Sequence, residues 1–316
     1  MIEYSIFYDH TEENMDVLYF FESIRNPVLN FIFRFFSMFG EEILVLAAVC
    51  VMVWCVDKNA SYRLGMVFFI SSVLAQGTKI ALRIERPWII DPEFEPVAGA
   101  KTTATGYSFP SGHTQSATAL YSSLAFEMRR KNIKWGIIAA AALIVGVGVS
   151  RMYLGVHTPA DVIAAFVMTL AIALAVYIID SKITVSNDLL ISLILGAASA
   201  ALLVYSIVMI ENGTVPFDNG VDCCKTAGAG LGFAVARYIE RRFINYDVKT
   251  PKLWMQAVKL VAGVAGALAV KEGLKLILGT SIAAHTIRYF ALVIFGIVIY
   301  PLIFTAILKK NRKDNT

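Results

Sequence analysis

The sequence predicts an all-α, polytopic helical membrane protein with about nine transmembrane helices. Of its 316 residues, 57% are hydrophobic and only 16% are charged, and the mean hydropathy is +0.65. Most of the charge lies in short clusters between mostly apolar runs of roughly 16 to 25 residues, about the length that an α-helix needs to cross a bilayer. These observations exclude a pair of soluble domains, which the length alone would allow.

The amino-terminal segment, residues 1–39, combines a polar start with an aromatic-rich stretch from Met15 to Phe39. Glu22, Arg25 and Arg34 are spread along that stretch, and charged residues so distributed are unfavourable in a segment that crosses the bilayer. We therefore expect an interfacial amphipathic helix. The first fifteen residues are polar and acidic, so no cleavable signal peptide is predicted.

The predicted spans then follow one another to the end of the chain. They cover approximately residues 40–57, 64–83, 114–128, 135–150, 160–179, 188–210, 226–240, 254–278 and 283–308.

These spans divide into a catalytic core, residues 40–180, and accessory helices, residues 181–316. In the accessory helices, Lys271 and Glu272 predict a structural ion pair, and His285 and Arg288 are expected at the interface. The same helices offer a surface through which a homo-oligomer could form.

The distribution of lysine and arginine among the short loops predicts the orientation in the membrane. The loops at 84–113, 151–159, 211–225 and 279–282 share one side and carry only Arg86, Lys101, Arg151 and Lys225. The other loops hold most of the remaining basic residues. We therefore expect the amino terminus outside the cytoplasm and the carboxyl terminus within it, in a bacterial cytoplasmic membrane.

The cysteine content and the net charge bear on whether disulfides, a metal site or a nucleic-acid partner are expected. The four cysteines show no metal-ligand spacing, and two of them lie inside an apolar run. Neither a disulfide framework nor a metal site is predicted. The formal net charge of +4 carries little information beyond its placement in the loops, and no nucleic-acid partner is predicted.

The segment from Ser150 to Asp161 brings an arginine, a histidine and a carboxylate to one predicted membrane face. Asp161 follows His157 by about one helical turn, so its carboxylate can hold an imidazole nitrogen and fix the tautomer. A histidine held in this way, with Arg151 nearby, suits attack on a phosphoryl group. The alternative is a plain helix start, with Thr158 as the N-cap and Asp161 three residues later.

Two further motifs lie upstream on the same predicted face. Lys79 and Arg86 are separated by nearly two helical turns, so both side chains can share one helix face. Ser111 is positioned as an N-cap, where the following backbone N–H groups can bind phosphate, and Gly112 allows close approach of a ligand. His113 comes next. A common Pro-Ser-Gly helix start is the alternative explanation for this motif.

Together the three motifs read Lys79-x6-Arg86-Pro87, Pro110-Ser111-Gly112-His113 and Ser150-Arg151-x5-His157-x3-Asp161. In this order the chain resembles the type 2 phosphatidic acid phosphatase superfamily. That superfamily includes lipid phosphate phosphatases, bacterial undecaprenyl-diphosphate and phosphatidylglycerophosphate phosphatases, sphingosine-1-phosphate phosphatases and glucose-6-phosphatase. The resemblance covers residues 40–180, and the number of spans is most similar to the sphingosine-phosphate and glucose-6-phosphatase branches.

The resemblance implies a role for each motif residue. His157 would form a phosphohistidine, Asp161 would hold its ring, and His113 would protonate the leaving group and then activate water. The residues implied in phosphate binding are Lys79, Arg86, Ser111, Gly112 and Arg151. No metal and no cofactor would be required.

The predicted function is that of an integral-membrane phosphatase that hydrolyses a lipid phosphomonoester or diphosphate on the extracytoplasmic face. Three alternatives stay open: a phosphotransferase with an acceptor other than water, a phosphatase of a soluble phosphomonoester, and a transporter with intramembrane charges. The long loop from Trp88 to Phe109 is predicted to be a lid or headgroup selector, with a plain solvated connection as the alternative.

Overall fold

The structure is a computed structural model that describes residues 11–180, 187–248 and 253–313. Within these ranges helices are the only regular secondary structure. In chain order the α-helices are α1 (Thr11–Ser23), α2 (Pro27–Met38), α3 (Glu42–Val51), α4 (Lys58–Leu82), α5 (Pro87–Ile90), α6 (Gly112–Arg130), α7 (Lys134–Tyr153), α8 (Pro159–Ile179), α9 (Asp188–Glu211), α10 (Phe217–Ile239), α11 (Leu253–Leu278), α12 (Ile282–Ile294) and α13 (Tyr300–Lys313). Short π-helical turns extend α3, α10 and α12, and a 3₁₀ turn covers Ala100–Thr103.

The all-helical prediction is confirmed, whereas the number of spans is not. Every predicted span falls largely on helical residues, although the first and last are each made of more than one helical segment. Only five stretches of the described chain are long and apolar enough to cross a membrane. A sixth is added if the bent pair α2 and α3, which meet at 43°, counts as one span. The polar helix α6 and the small-residue helix α10 bury much of their length within the protein, so they need less apolar surface.

The amino-terminal stretch forms two helices where one was expected. Asn26 is the N-cap of the second helix, because its side-chain oxygen accepts hydrogen bonds from the backbone N–H groups of Val28 (3.1 Å) and Leu29 (3.0 Å). Pro27 occupies the first position of α2, which is the place where proline favours a new helix. Both α1 and α2 pack against α7, and their position at a membrane interface stays a prediction.

The chain divides into two compact units. The first comprises Met1–Val45 and Gly77–Ala173. Its long loop between α5 and α6 is packed rather than open: Val97 and Ala100 join Tyr153 in one buried apolar cluster. Phe94 joins two residues of α1 in another. Buried apolar residues thus anchor the loop to this unit, and its proposed role as a lid stays a prediction.

The second compact unit comprises Leu46–Gln76 and Leu174–Thr316. In it α10 packs against both α9 and α12, and Arg237 of α10 donates to Asp188 of α9 over 2.6 Å. The expected Lys271–Glu272 pair forms at 3.8 Å but is largely exposed, so it contributes little stability. The predicted division into a catalytic core, residues 40–180, and accessory helices, residues 181–316, stays a prediction.

Two glycines of this second unit provide a matched test of its packing. A Cβ atom at Gly228 of α10 would collide with the backbone carbonyl oxygen of Thr286 in α12, whereas one at Gly273 of α11 would meet nothing within 4 Å. We expect Gly228→Ala to lower the thermal unfolding midpoint of the purified protein. Gly273→Ala should leave the midpoint unchanged or raise it. In a helix interior alanine is more favourable than glycine by about 1 kcal/mol. Equal effects of the two substitutions would contradict this close helix contact.

Candidate active site

The structure brings residues of all three motifs together in the first compact unit. The charges of Lys79, Arg86 and Arg151, together with His157, all act electrostatically on His113. These residues come from the end of α4 and its following loop, the start of α6, the end of α7 and the turn before α8. Motifs that are far apart in the sequence therefore share one buried site.

His157 lies between a carboxylate and a guanidinium. Its Nδ1 atom is 3.3 Å from Asp161 Oδ2, and Arg86 Nη1 lies 3.0 Å from its Nε2 and 3.5 Å from its Nδ1. A carboxylate only accepts hydrogen bonds and a guanidinium only donates them. The proton of a neutral His157 is therefore held on Nδ1, and the lone pair of Nε2 is directed to the cationic side of the site.

The protonation state of His157 follows from its surroundings. The side chain is only 2% exposed. Burial, and then the positive charges of Arg86, Arg151 and Lys79, lower the pKa of His157 well below its ordinary value. The imidazole is consequently neutral at neutral pH, which is the form that can act as a nucleophile.

Asp161 connects the turn before α8 with the loop that precedes α6. Its Oδ2 atom accepts hydrogen bonds from Ser108 Oγ (2.6 Å) and from the backbone N–H of Thr158 (2.8 Å). Thr158 Oγ1 in return accepts from the backbone N–H of Asp161 over 3.3 Å, which completes a capping box. The carboxylate of Asp161 therefore both takes part in the start of α8 and lies beside the ring of His157.

Arg86 and Lys79 are held by backbone carbonyl oxygens. Arg86 donates to Gly106 (3.0 Å), Thr105 (2.6 Å) and Val156 (2.9 Å). Lys79 donates to the carbonyl oxygen of Tyr107. These acceptors are neutral, so both side chains are positioned while the site keeps its positive charge. Three of the four carbonyls belong to the long loop, which makes that loop a support for the cations.

Arg151 is fully buried and presents a whole edge without a protein partner. Its Nη1 donates to Ser37 Oγ of α2 over 2.6 Å, and its exposed fraction is 0%. Its Nε and Nη2 are buried and have no hydrogen-bond partner among the residues that the structure describes. The hydrogens of Nε and Nη2 lie along one edge of the guanidinium, the arrangement that binds two oxygens of a phosphate group.

The Pro-Ser-Gly-His motif forms the predicted helix start. Ser111 Oγ caps α6 by accepting from the backbone N–H of Thr114 (3.4 Å), and the Ser111 N–H donates to the carbonyl oxygen of Asp161 (3.0 Å). A Cβ atom at Gly112 would meet nothing within 4 Å, so the backbone there borders open space. His113 Nε2 is buried and lacks a hydrogen-bond partner within the described part of the chain.

Sequence reasoning missed three contributors to this site. Ser108 stands two residues before the Pro110-Ser111-Gly112-His113 motif, and that proximity was the available signal. Ser37 and Gly40 gave none, although Ser37 contacts Arg151 and a Cβ at Gly40 would lie 2.9 Å from the carbonyl oxygen of His113. In the described residues, no group of three or more His, Cys, Asp or Glu side chains is placed to hold a metal ion.

The contact between Ser37 and Arg151 leads to a specific prediction. Ser37→Ala removes a charge-assisted hydrogen bond, so the phosphate-binding edge of Arg151 should lose its fixed orientation. We expect the affinity for orthovanadate, a phosphate analogue, to fall about tenfold. The measurement is an inhibition or binding titration of the purified protein.

Ser23→Ala is the matched control, because Ser23 Oγ is exposed and bonds only within α1, to the Phe20 carbonyl oxygen. Its vanadate affinity should equal that of the unmodified protein. An unchanged affinity in the Ser37 variant would show that Arg151 is oriented by other contacts.

Comparison with known proteins gives two family matches. Residues 60–184 match the PAP2 superfamily, and residues 224–312 match the transmembrane extension of PAP2 superfamily phosphatases. Sphingosine-1-phosphate phosphatase 2 of Mus musculus is 27% identical over 158 residues, which are 49% of this chain and 43% of that protein. Phosphatidylglycerophosphatase B of Bacillus subtilis (strain 168) is 28% identical over 175 residues, 51% of this chain and 79% of that protein.

A crystal structure of a transmembrane PAP2-type phosphatidylglycerolphosphate phosphatase from Bacillus subtilis aligns with a TM-score of 0.48 and 24% identity. The alignment covers 58% of this chain and 90% of that one. The chain thus spans less than half the length of the mouse relative and most of the length of the bacterial ones.

Proposed function

Because the chain belongs to the PAP2 superfamily and is an integral membrane protein, we propose that it is a phosphatase of lipid phosphates. The observation that carries this proposal is the pair of unpartnered groups in the site. The Nε and Nη2 edge of Arg151 and the Nε2 atom of His113 are buried without a partner among the described residues. A bound phosphate ester would supply acceptors for both.

The first chemical step is attack by His157 Nε2 on the phosphorus atom. A P–N bond forms while the P–O bond to the leaving group breaks. His113, which the negative charge of the bound ester keeps protonated, gives its proton to the departing oxygen. Asp161 accepts the hydrogen bond from Nδ1 and stabilises the positive charge that develops on the ring. The product of this step is a phosphohistidine at residue 157.

The second step hydrolyses that intermediate. His113, now neutral, takes a proton from a water molecule whose oxygen attacks phosphorus, and the P–N bond breaks to release inorganic phosphate and neutral His157. One residue thus acts first as an acid and then as a base, as microscopic reversibility requires.

Electrostatic stabilisation comes from the three buried cations. Lys79, Arg86 and Arg151 carry the positive charge that offsets the charge on the transferring phosphoryl group, the task that magnesium performs in many phosphoryl-transfer enzymes. Carbonyl and hydroxyl oxygens position them, and these acceptors carry no formal charge. We therefore propose catalysis without a metal ion.

The substrate class follows from the membrane setting and from the relatives. The two proteins named above act, by their names, on sphingosine-1-phosphate and phosphatidylglycerophosphate, and each of these is a lipid with a terminal phosphate. We propose the same class of substrate here. The basic loops predicted on the opposite side support an extracytoplasmic active site.

Two histidine variants should fail at different steps. His157→Ala should abolish turnover and covalent labelling because no nucleophile remains. His113→Ala should slow hydrolysis of a lipid phosphate by about 10²–10⁴-fold. With p-nitrophenyl phosphate, whose leaving group needs little protonation, this variant should still form the intermediate and accumulate it.

The measurement is labelling with radioactive substrate followed by an acid or an alkaline quench. We expect acid-labile, alkali-stable label on the His113 variant and none on the His157 variant. Label that persists in the His157 variant would assign the nucleophile to another residue.

The three cations also predict behaviour toward chelators. Hydrolysis of a lipid phosphate by the purified protein should be unchanged in excess EDTA, since Lys79, Arg86 and Arg151 supply the positive charge. Phosphate release with and without EDTA is the measurement. Activity that disappears in EDTA and returns with magnesium would show that the cations are not sufficient.

A further inference from the structure

The second compact unit contains a buried arginine without a carboxylate partner. Arg288 of α12 is 6% exposed, and its Nη2 atom lies 2.6 Å from His285 Nδ1. Its Nε and Nη1 atoms are buried, and neither has a hydrogen-bond partner among the described residues. Over the same residues Arg288 forms no ion pair.

Two other buried charges of this unit, Arg237 and Glu240, have partners of opposite charge. Arg237 is 1% exposed, and its Nη2 atom lies 2.6 Å from Asp188 Oδ1. Glu240 accepts from Lys58 over 3.1 Å. Burying a charge is costly unless an opposite charge or a set of hydrogen bonds compensates for it. Among the described residues Arg288 contacts His285 and lies 5.9 Å from the ring centre of Tyr289, and neither residue carries an opposite charge.

The neighbourhood of Arg288 adds positive charge. Lys225, Asp222 and Lys275 all act electrostatically on its partner His285. Lys225 is paired with Asp222 over 2.7 Å, so these two charges largely cancel one another. Arg288 and Lys275 remain as an excess of positive charge, which favours a bound anion.

The place of Arg288 along its helix indicates which anion is available. Ser281 caps the amino-terminal end of α12, accepting from the Ala284 N–H over 3.2 Å. α12 opens the apolar stretch Ile282–Ala306, which is long enough to cross a membrane. Arg288 is six residues, about 9 Å, from the first residue of that stretch, within reach of the headgroup region for a long side chain. Phospholipids present phosphate groups there.

We propose that Arg288, with His285 and Lys275 beside it, binds the phosphate group of an anionic phospholipid. One of the two unpartnered atoms, Nε or Nη1, donates to a phosphate oxygen, while the Nη2 contact with His285 fixes the plane of the guanidinium. This site is separate from the proposed catalytic residues and binds its lipid without chemical change. Free inorganic phosphate has the same chemistry and is the other possible source of the anion.

The test is the thermal unfolding midpoint of the delipidated full-length protein in detergent, with phosphatidylglycerol, phosphatidylcholine or inorganic phosphate added. Phosphatidylglycerol is a phosphodiester without a terminal phosphate. We expect it to raise the midpoint of the unmodified protein, and phosphatidylcholine to have little effect. Arg288→Gln should bind phosphatidylglycerol about tenfold more weakly or worse, because it loses charge-assisted hydrogen bonds.

Lys134→Gln is the matched control, since it removes a positive charge from an exposed position in the first unit, and it should respond as the unmodified protein does. A midpoint shift from inorganic phosphate that depends on Arg288 would assign free phosphate as the ligand. The proposal would be overturned if phosphatidylglycerol raised the midpoint of the Arg288 and Lys134 variants equally. It would also be overturned if phosphatidylglycerol did not raise the midpoint of the unmodified protein. If Arg288→Gln does not fold, Lys275→Gln should show a reduced shift, and an undiminished one would overturn the proposal.

Discussion

The carboxylate of Asp161 is the contact on which several separate segments of the first compact unit depend. One of its oxygens receives hydrogen bonds from the loop before α6, through Ser108, and from the start of α8, through Thr158. It also lies beside Nδ1 of His157. A single buried acceptor therefore begins a helix, fastens a loop and sets the tautomer of the proposed nucleophile. Its role in the local fold cannot be separated from its role in the site.

The second constraint is the cost of burying positive charge. A carboxylate close to each cation would reduce that cost, and it would also cancel the field that a phosphate ester needs. Arg86 instead donates to carbonyl oxygens and Arg151 to a hydroxyl oxygen. These neutral acceptors satisfy guanidinium N–H groups and lower the cost of burial without adding a negative charge. Arg237, which Asp188 neutralises, shows the ordinary structural solution elsewhere in the same chain.

The amino-terminal helices and the long loop support the site from outside the motifs. Arg25 donates to the carbonyl oxygens of Glu95 in the loop and Tyr153 at the end of α7. Tyr153 in turn donates to Asn30 of α2 over 2.8 Å. Because α2 also supplies Ser37, changes in this amino-terminal region should reach Arg151 without any contact with substrate. A segment expected to lie at an interface is thus part of the framework of the site.

The sequence by itself determined the helical class, the order of the motifs and the local pairing of His157 with Asp161. Those features depend on apolar runs, helix-start residues and a spacing of one turn, all of which act between near neighbours. Asn26 and Pro27 were local signals too, and they explain why one expected helix is two. Only the tertiary structure decided that Ser37 holds Arg151, that Gly40 adjoins His113, and that polar helices such as α6 are buried. These contacts join residues that are far apart in the chain, and the periodicity of a sequence does not predict which distant side chains will be in contact.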